Sequence, residues 1–283
     1  RKHLAAARGE PVLHYLIKRI TTHFGKEIAS GSVVPVIATA DEPENREFER
    51  FSGLGVNVVY GSPDNIPVRH LQAADALDIG RIIAVDGDDI LCSVDGMRLM
   101  LEALNAGAEY ARTTGLPFGM NSMGYTREFL ERSLSGMVSQ TLETGWTRVF
   151  DRTKLKDVHV DSNAEAAPFR FTLDYEEDLE FFRALIEELG ERVYTASDED
   201  ILTTAKEKGF CMINAGVEKK YWENFNANVD MENSGAGLNR LYQSKAHLYI
   251  PAGAHTYSRA DDSYPENAPP VLERGKDGYV WDM

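Results

Sequence analysis

The stretch Asp86-Gly87-Asp88-Asp89 places three carboxylates directly after the short apolar run Ile82-Ile83-Ala84-Val85. A run of that kind suits a strand buried on both faces of a sheet, so the carboxylates would be delivered to its C-terminal edge. Like charges at this density repel unless a cation lies among them. Hard oxygen ligands suit Mg2+, which keeps several waters and uses one or two carboxylates together with substrate phosphates. An acidic turn capping the helix after Ser93 fits the same residues, and the motif alone does not separate the two readings. A second aspartate stands in a similar setting: Phe171-Thr172-Leu173-Asp174 reads as a strand ending in Asp, ahead of a helix opened by Tyr175-Glu176-Glu177-Asp178-Leu179-Glu180. Asp174 with Glu177 three residues on also matches a capping box. Two strand-end aspartates in one α/β sheet can converge on one ion, and their distance apart in sequence is what a nucleotidyl-transfer site would have.

The elements that must position these residues follow from periodicity. Val12, Leu13, Leu16, Ile17 and Ile20 recur at helical spacing between Pro11 and Phe24. Val33 to Ala40 is an apolar, β-branched run of strand length. The alternation continues with a helix over Asn45 to Ser52, a strand over Val56 to Tyr60, a helix over Arg69 to Leu77, a strand over Ile82 to Val85 and a helix over Val94 to Ala106. This order implies a doubly wound, mostly parallel α/β sheet, whose ligands sit beyond the C-terminal ends of the strands. The loops Tyr60 to Arg69 and Asp86 to Asp89 are therefore the candidate site. Regularity weakens from Tyr110 to Arg170, where a turn at Pro117 to Asn121 and a helix over Arg127 to Met137 suggest a substrate loop or dimer arm. It returns with a strand at Phe169 to Leu173 and helices over Glu176 to Leu189 and Ile201 to Lys208. Tyr221, Trp222 and Phe225 read as residues packing a terminal helix against the sheet.

With 43% hydrophobic and 10% aromatic residues, the 283-residue chain has ample material for a large core. Its 30 basic and 45 acidic residues give a formal charge of −15, which opposes nucleic-acid backbones and anionic membranes. No apolar run reaches membrane-spanning length, and no leader follows Arg1, so a soluble, cytoplasmic protein is expected. Cys92 and Cys211 lack metal-ligand spacing and read as buried thiols. His14, His23 and His70 read as helix residues without metal-ligand pairing.

The ordered series Ala38-Thr39 with Asp41, Tyr60-Gly61-Ser62 with Asp64 and Arg69, Asp86-Gly87-Asp88, Pro117-Phe118-Gly119, and Arg170-Phe171-Thr172-Leu173-Asp174 with Glu177-Asp178-Leu179-Glu180 resembles a known family. It is that of the spore coat polysaccharide biosynthesis protein F cytidylyltransferases, related to the 3-deoxy-manno-octulosonate and acylneuraminate cytidylyltransferases. The resemblance implies a sheet of nucleotide-diphospho-sugar transferase type. On it CTP would be attacked at its α-phosphorus, releasing pyrophosphate and leaving a CMP-activated sugar acid or amino sugar for surface polysaccharide. It further implies Asp88 and Asp174 as Mg2+ ligands and Lys2 as the lysine closing the signature loop. Gly61, Ser62, Arg69 and Asp86 would lie on the nucleotide side, and Arg148 and Arg170 against an acidic acceptor. A homodimer is expected.

The family's first strand and most of its phosphate-binding loop would lie before Arg1. Glu143-Thr144-Gly145-Trp146-Thr147-Arg148 also departs from the basic stretch found in many relatives, which leaves the acceptor open. Rival readings are a cytidylyltransferase for a phosphonate or phosphorylated small molecule, a metal-dependent glycosyltransferase using a nucleotide-sugar donor, and a non-catalytic docking domain. The cytidylyltransferase domain is expected over 1–232 and a linker over 233–237. The segment 238–283 resembles the opening of a class III aminotransferase of the glutamate-1-semialdehyde aminomutase type. Its pyridoxal phosphate site would belong to a domain lying beyond this sequence.

Overall fold

The computed structural model describes residues 2–135, 141–161, 169–233, 250, 272–276 and 279–282. After a short hairpin of β1 (Ala6–Ala7) and β2 (Glu10–Pro11), the chain enters α1 (Val12–His23) and the short α2 (Gly25–Ala29). Next come β3 (Val36–Ala40), β4 (Asn57–Gly61), α3 (Ile66–Leu77), β5 (Arg81–Ala84) and α4 (Val94–Asn105). These positions follow the periodicity to within a few residues. The expected helix between β3 and β4 is instead a 3-10 segment, Pro43–Leu54, closed by Gly55 in the left-handed region. Its apolar residues Phe48, Phe51 and Leu54 repeat every three residues, which matches the three-per-turn period.

The architecture is α/β, as the alternation implies. The segment expected as a loop or arm carries three strands: β6 (Tyr110–Thr114), β7 (Met123–Thr126) and, beyond α5 (Arg127–Ser133), β8 (Leu155–His159). They form a four-stranded sheet ordered β5-β7-β6-β8. In it β7 runs antiparallel to both neighbours and β6 is parallel to β8. β3 and β4 form a separate parallel pair. Among the described residues β3 and β5 share no backbone hydrogen bond, although Ile37 and Ile83 pack in one apolar cluster with α1.

α6 (Glu176–Leu189) forms the largest core. Its Phe181, Phe182, Leu185 and Ile186 are fully buried against Phe171 and α7 (Asp198–Glu207), with Phe171 and Phe181 in edge contact at 5.0 Å. α1 serves two clusters: Val12 and Tyr15 face this core, whereas Leu13, Leu16 and Ile17 face α4 and β3. Cys92 is buried and Cys211 half-buried, both as free thiols. No described helix is long and apolar enough to cross a membrane. Beyond α8 (Glu218–Asn233) a hairpin of β9 (Leu272–Lys276) and β10 (Tyr279–Asp282) is described. Of the linker expected over 233–237, Asn233 is the last residue of α8, and 234–237, like most of the tail with its aminotransferase resemblance, lie outside the described residues.

Candidate active site

The Asp-rich turn leaves β5, as its apolar run implies, and a second segment is tied beside it by backbone hydrogen bonds. Phe171 N–H donates to the Phe118 carbonyl at 2.8 Å and Leu173 N–H to the Asp88 carbonyl at 3.0 Å. The strand expected at Phe169 to Leu173 is therefore an extended segment with a single bridge, Phe118 to Arg170, and not a ladder strand. Gly119 makes this approach possible. It sits at φ +87°, and a Cβ there would run into the Phe171 carbonyl carbon.

These contacts bring Asp88 and Asp174 to one point. Lys2 Nζ donates to Asp88 Oδ2 at 2.7 Å and to Asp174 Oδ1 at 2.9 Å. Burial opposes the ammonium charge, but the two carboxylates outweigh it and raise the Lys2 pKa. The other oxygen of Asp174, Oδ2, accepts from Arg170 Nη2 at 2.6 Å, and Arg170 Nε donates to Asp178 at 3.0 Å. Asp178 Oδ2 in turn accepts from the backbone N–H groups of Asp174 and Tyr175, at 2.9 and 3.0 Å. Asp178, not Glu177, is thus the carboxylate that caps α6, which leaves the Asp174 side chain for the cation. Asn214 completes the support by donating to the Arg170 carbonyl and to Asp178 Oδ1. Neither Asp178 nor Asn214 stood out in the sequence as a site residue. Asp178 lies three residues into its helix, the position at which such caps act.

Crowding shapes the electrostatics of the turn. Solvent reaches Asp86, yet the desolvating surroundings push its carboxyl up to about 6, with Asp88 adding repulsion and the Trp146 indole N–H opposing. Burial likewise pushes Asp89 well up, and Thr172 donates to it. His3 packs at the Gly87 backbone and 6.2 Å from the Phe48 ring. Desolvation lowers its imidazole to about 4.

An antiparallel β7 between β5 and β6, with acidic residues at the end of β5, can be compared with known folds. A cytidylyltransferase structure from Leptospira borgpetersenii serovar Hardjo-bovis (strain JB197) superimposes with a TM-score of 0.63 at 21% identity, covering 75% of this chain and 90% of that one. The chain has a cytidylyltransferase fold. The bifunctional IspDF from Campylobacter jejuni is more distant, with a TM-score of 0.43 at 13% identity over 64% of this chain and 48% of that one. A 4-diphosphocytidyl-2C-methyl-D-erythritol synthase likewise has a TM-score of 0.43, at 12% identity over 65% of this chain and 94% of that one. No protein-family model and no curated protein matches the sequence.

On this cytidylyltransferase fold the remaining expected site residues fall in two places. Gly61 ends β4, and the N–H of Ser62 donates to Gln72 Oε1 at 2.7 Å. Arg69 is held in the same loop by the carbonyls of Ser62 and Pro63 and by Glu143 Oε1 at 2.8 Å. Leu142 N–H donates to the Asp64 carbonyl and Ile66 N–H to the Leu142 carbonyl, so the 141–149 segment is laced to this loop. Through Trp146 it reaches Asp86. Arg148 belongs to that segment and pairs with Glu232 of α8 at 2.6 Å. Arg170, expected against substrate, is 4% exposed, and its Nε and Nη2 are engaged by Asp178 and Asp174. In that placement it supports Asp174, while its Nη1 is buried without a hydrogen-bond partner.

The aromatic residues of α8 also differ from expectation. Tyr221 and Trp222 pack on Phe118 at 5.3 and 5.6 Å, and the Arg170 guanidinium lies 4.3 Å from the Tyr221 ring centre. α8 therefore lies over the loops of the site and not on the sheet.

Proposed function

We propose that this chain is a Mg2+-dependent cytidylyltransferase that transfers the CMP moiety of CTP to an oxygen of an acidic sugar or related acceptor, releasing pyrophosphate. The observation carrying this reading is the convergence of Asp88 and Asp174 on a single cation, the Lys2 ammonium. Each contributes one oxygen within hydrogen-bond distance of the same point, and two carboxylate oxygens are the protein share that Mg2+ takes in phosphate chemistry. Among the described residues no group of three or more His, Cys, Asp or Glu is set about one metal position. A site completed by waters and by phosphate oxygens of the substrate is consistent with that. Asp88 and Asp174 would hold the ion; when bound, Mg2+ offsets triphosphate charge and polarises the phosphorus under attack.

The chain's own residues have separable tasks in this reading. Lys2 moves from the carboxylates to the phosphates when nucleotide and metal arrive. Arg170 and Asp178 keep Asp174 aimed. Gly61, Ser62, Arg69 and Asp86 border the nucleotide. The polysaccharide role, the homodimer and the fusion to a pyridoxal phosphate enzyme belong to this proposal through the family resemblance alone.

Product analysis tests it. Incubation with each nucleoside triphosphate, Mg2+ and a panel of sugar acids should release pyrophosphate with CTP, and EDTA should stop it. Release of a nucleoside diphosphate from a nucleotide sugar would instead identify a glycosyltransferase. Turnover only with phosphonates or phosphorylated acceptors would shift the acceptor class.

A further inference from the structure

The segment 141–149, which departs in sequence from the basic stretch of many relatives, folds so as to turn one large ring inward. Gly145, at φ +55°, opens a 3-10 turn over Trp146–Val149, and Trp146 is only 5% exposed. Its indole meets the His70 ring edge-on at 5.3 Å, the Phe150 ring at 5.9 Å and the Tyr125 ring at 6.2 Å. Backbone hydrogen bonds from Leu142 to Asp64 and from Ile66 to Leu142 tie the segment to the loop after β4. The ring is thus held by packing on a segment that is itself anchored. Its one polar group, the indole N–H, needs a partner when buried, and it donates to the Asp86 carboxylate.

Each carboxylate of the acidic turn has a partner of its own. Asp86 takes Trp146, Asp88 takes Lys2 and Asp89 takes Thr172. Asp86 is nevertheless within electrostatic reach of Asp88, Asp174 and Lys2, the three groups that meet at the candidate cation position. A free carboxylate there would be drawn to a divalent ion. As a third carboxylate it would bind the ion more tightly, since affinity follows the charge of the ligand set. It would also take a coordination position that phosphate oxygens need, and it would set a further negative charge against the triphosphate.

We propose that Trp146 is a positioning residue: its indole N–H holds the Asp86 carboxylate away from the ion shared by Asp88 and Asp174, which leaves the remaining coordination positions to nucleotide phosphates. The inference rests on the Mg2+ reading of the site and gives the 141–149 segment a task at the metal.

The test uses Mn2+ as a paramagnetic probe, with the free ion read by electron paramagnetic resonance. It is titrated into the unaltered protein, Trp146→Phe, Asp86→Asn and the double variant. Trp146→Phe keeps an aromatic ring in the cluster and removes the N–H. It is expected to bind Mn2+ about tenfold more tightly and to raise the KM for CTP about tenfold, with a smaller change in kcat. Asp86→Asn and the double variant should bind Mn2+ alike, because the effect of Trp146 passes through the Asp86 charge. Loosened packing would instead act in both backgrounds. A second measurement needs no change at Trp146. The indole N–H resonance of Trp146, assigned by elimination with Trp222→Phe and Trp281→Phe, should stay slow to exchange when Mg2+ is added. Unchanged or weaker Mn2+ binding in Trp146→Phe would overturn the proposal, as would an equal tightening in the Asp86→Asn background or loss of indole protection with Mg2+. The absence of saturable Mn2+ binding in all four proteins would remove the metal reading itself, whereas Mn2+ binding indifferent to Trp146 removes only this role.

Discussion

Asp174 faces two cations with its two oxygens: Oδ2 lies 2.6 Å from Arg170 Nη2 and Oδ1 lies 2.9 Å from Lys2 Nζ. Arg170 is the buried partner and Lys2 the half-exposed one, so the first is expected to govern stability and the second function. Arg170→Met should destabilise the chain by about 3 to 5 kcal/mol, because it strands the fully buried Asp178 without its charge partner. Asp178→Asn should be milder, since the amide oxygen still caps α6. Urea denaturation of the two variants checks the order.

At the exposed end, Lys2 competes with a divalent ion for the same oxygens. Lys2→Gln is expected to tighten Mg2+ binding in the absence of nucleotide and to slow pyrophosphate release. Asp88→Asn and Asp174→Asn should each abolish turnover while leaving the fold intact. Mg2+ calorimetry and a pyrophosphate assay on the three variants decide it; a Lys2→Gln protein with weaker metal binding and full turnover would contradict the placement.

His70 links the fold to pH. Its Nδ1 lies 2.5 Å from the Tyr125 hydroxyl, its ring meets Trp146 edge-on at 5.3 Å, and burial lowers its pKa from 6.5 to about 4. The unfolded chain therefore binds the proton first as pH falls. Stability is complete above 6.5 and declines down to about 4, by at most about 3 kcal/mol from this group. His70→Gln should remove that part of the acid dependence while leaving the share from His14 and His23, which burial also lowers. Urea midpoints at pH 7.5 and at about pH 4.5 measure the difference.

Gly119 gives a local test of the site's scaffold. Gly119→Ala combines a positive φ with a clash against the Phe171 backbone, so a loss of about 2 to 4 kcal/mol is expected. Activity should fall as well, because the same backbone carries Asp174. Gly107→Ala, also at positive φ but with nothing near its Cβ, should lose less. Thermal unfolding of the pair separates strain from collision.

The elements with strong periodicity were legible in the sequence. α1, α3, α4, α6 and the apolar strands β3, β4 and β5 lie where apolar spacing places them, because burial of one face or both leaves a regular signature. The strands β6, β7 and β8 were not legible. Tyr-Ala-Arg-Thr-Thr, Met-Gly-Tyr-Thr and Leu-Lys-Asp-Val-His are short and mixed, and their pairing is fixed by partners distant in the chain.

For the site, the residue types by themselves determined that strand-end carboxylates at Asp86 to Asp89 and at Asp174 were available for a cation. Only the tertiary structure decided their relation. The backbone pairing of Leu173 with Asp88 brings Asp174 alongside, and the Asp178 cap frees its carboxylate for Lys2. Arg170 shows the same division: its charge is plain in the sequence, but only the fold shows that it is buried and paired with Asp174 and Asp178. The reason is physical. Carboxylate chemistry and helix periodicity are local properties of the chain, whereas which two charges share one desolvated point depends on contacts between segments far apart in it.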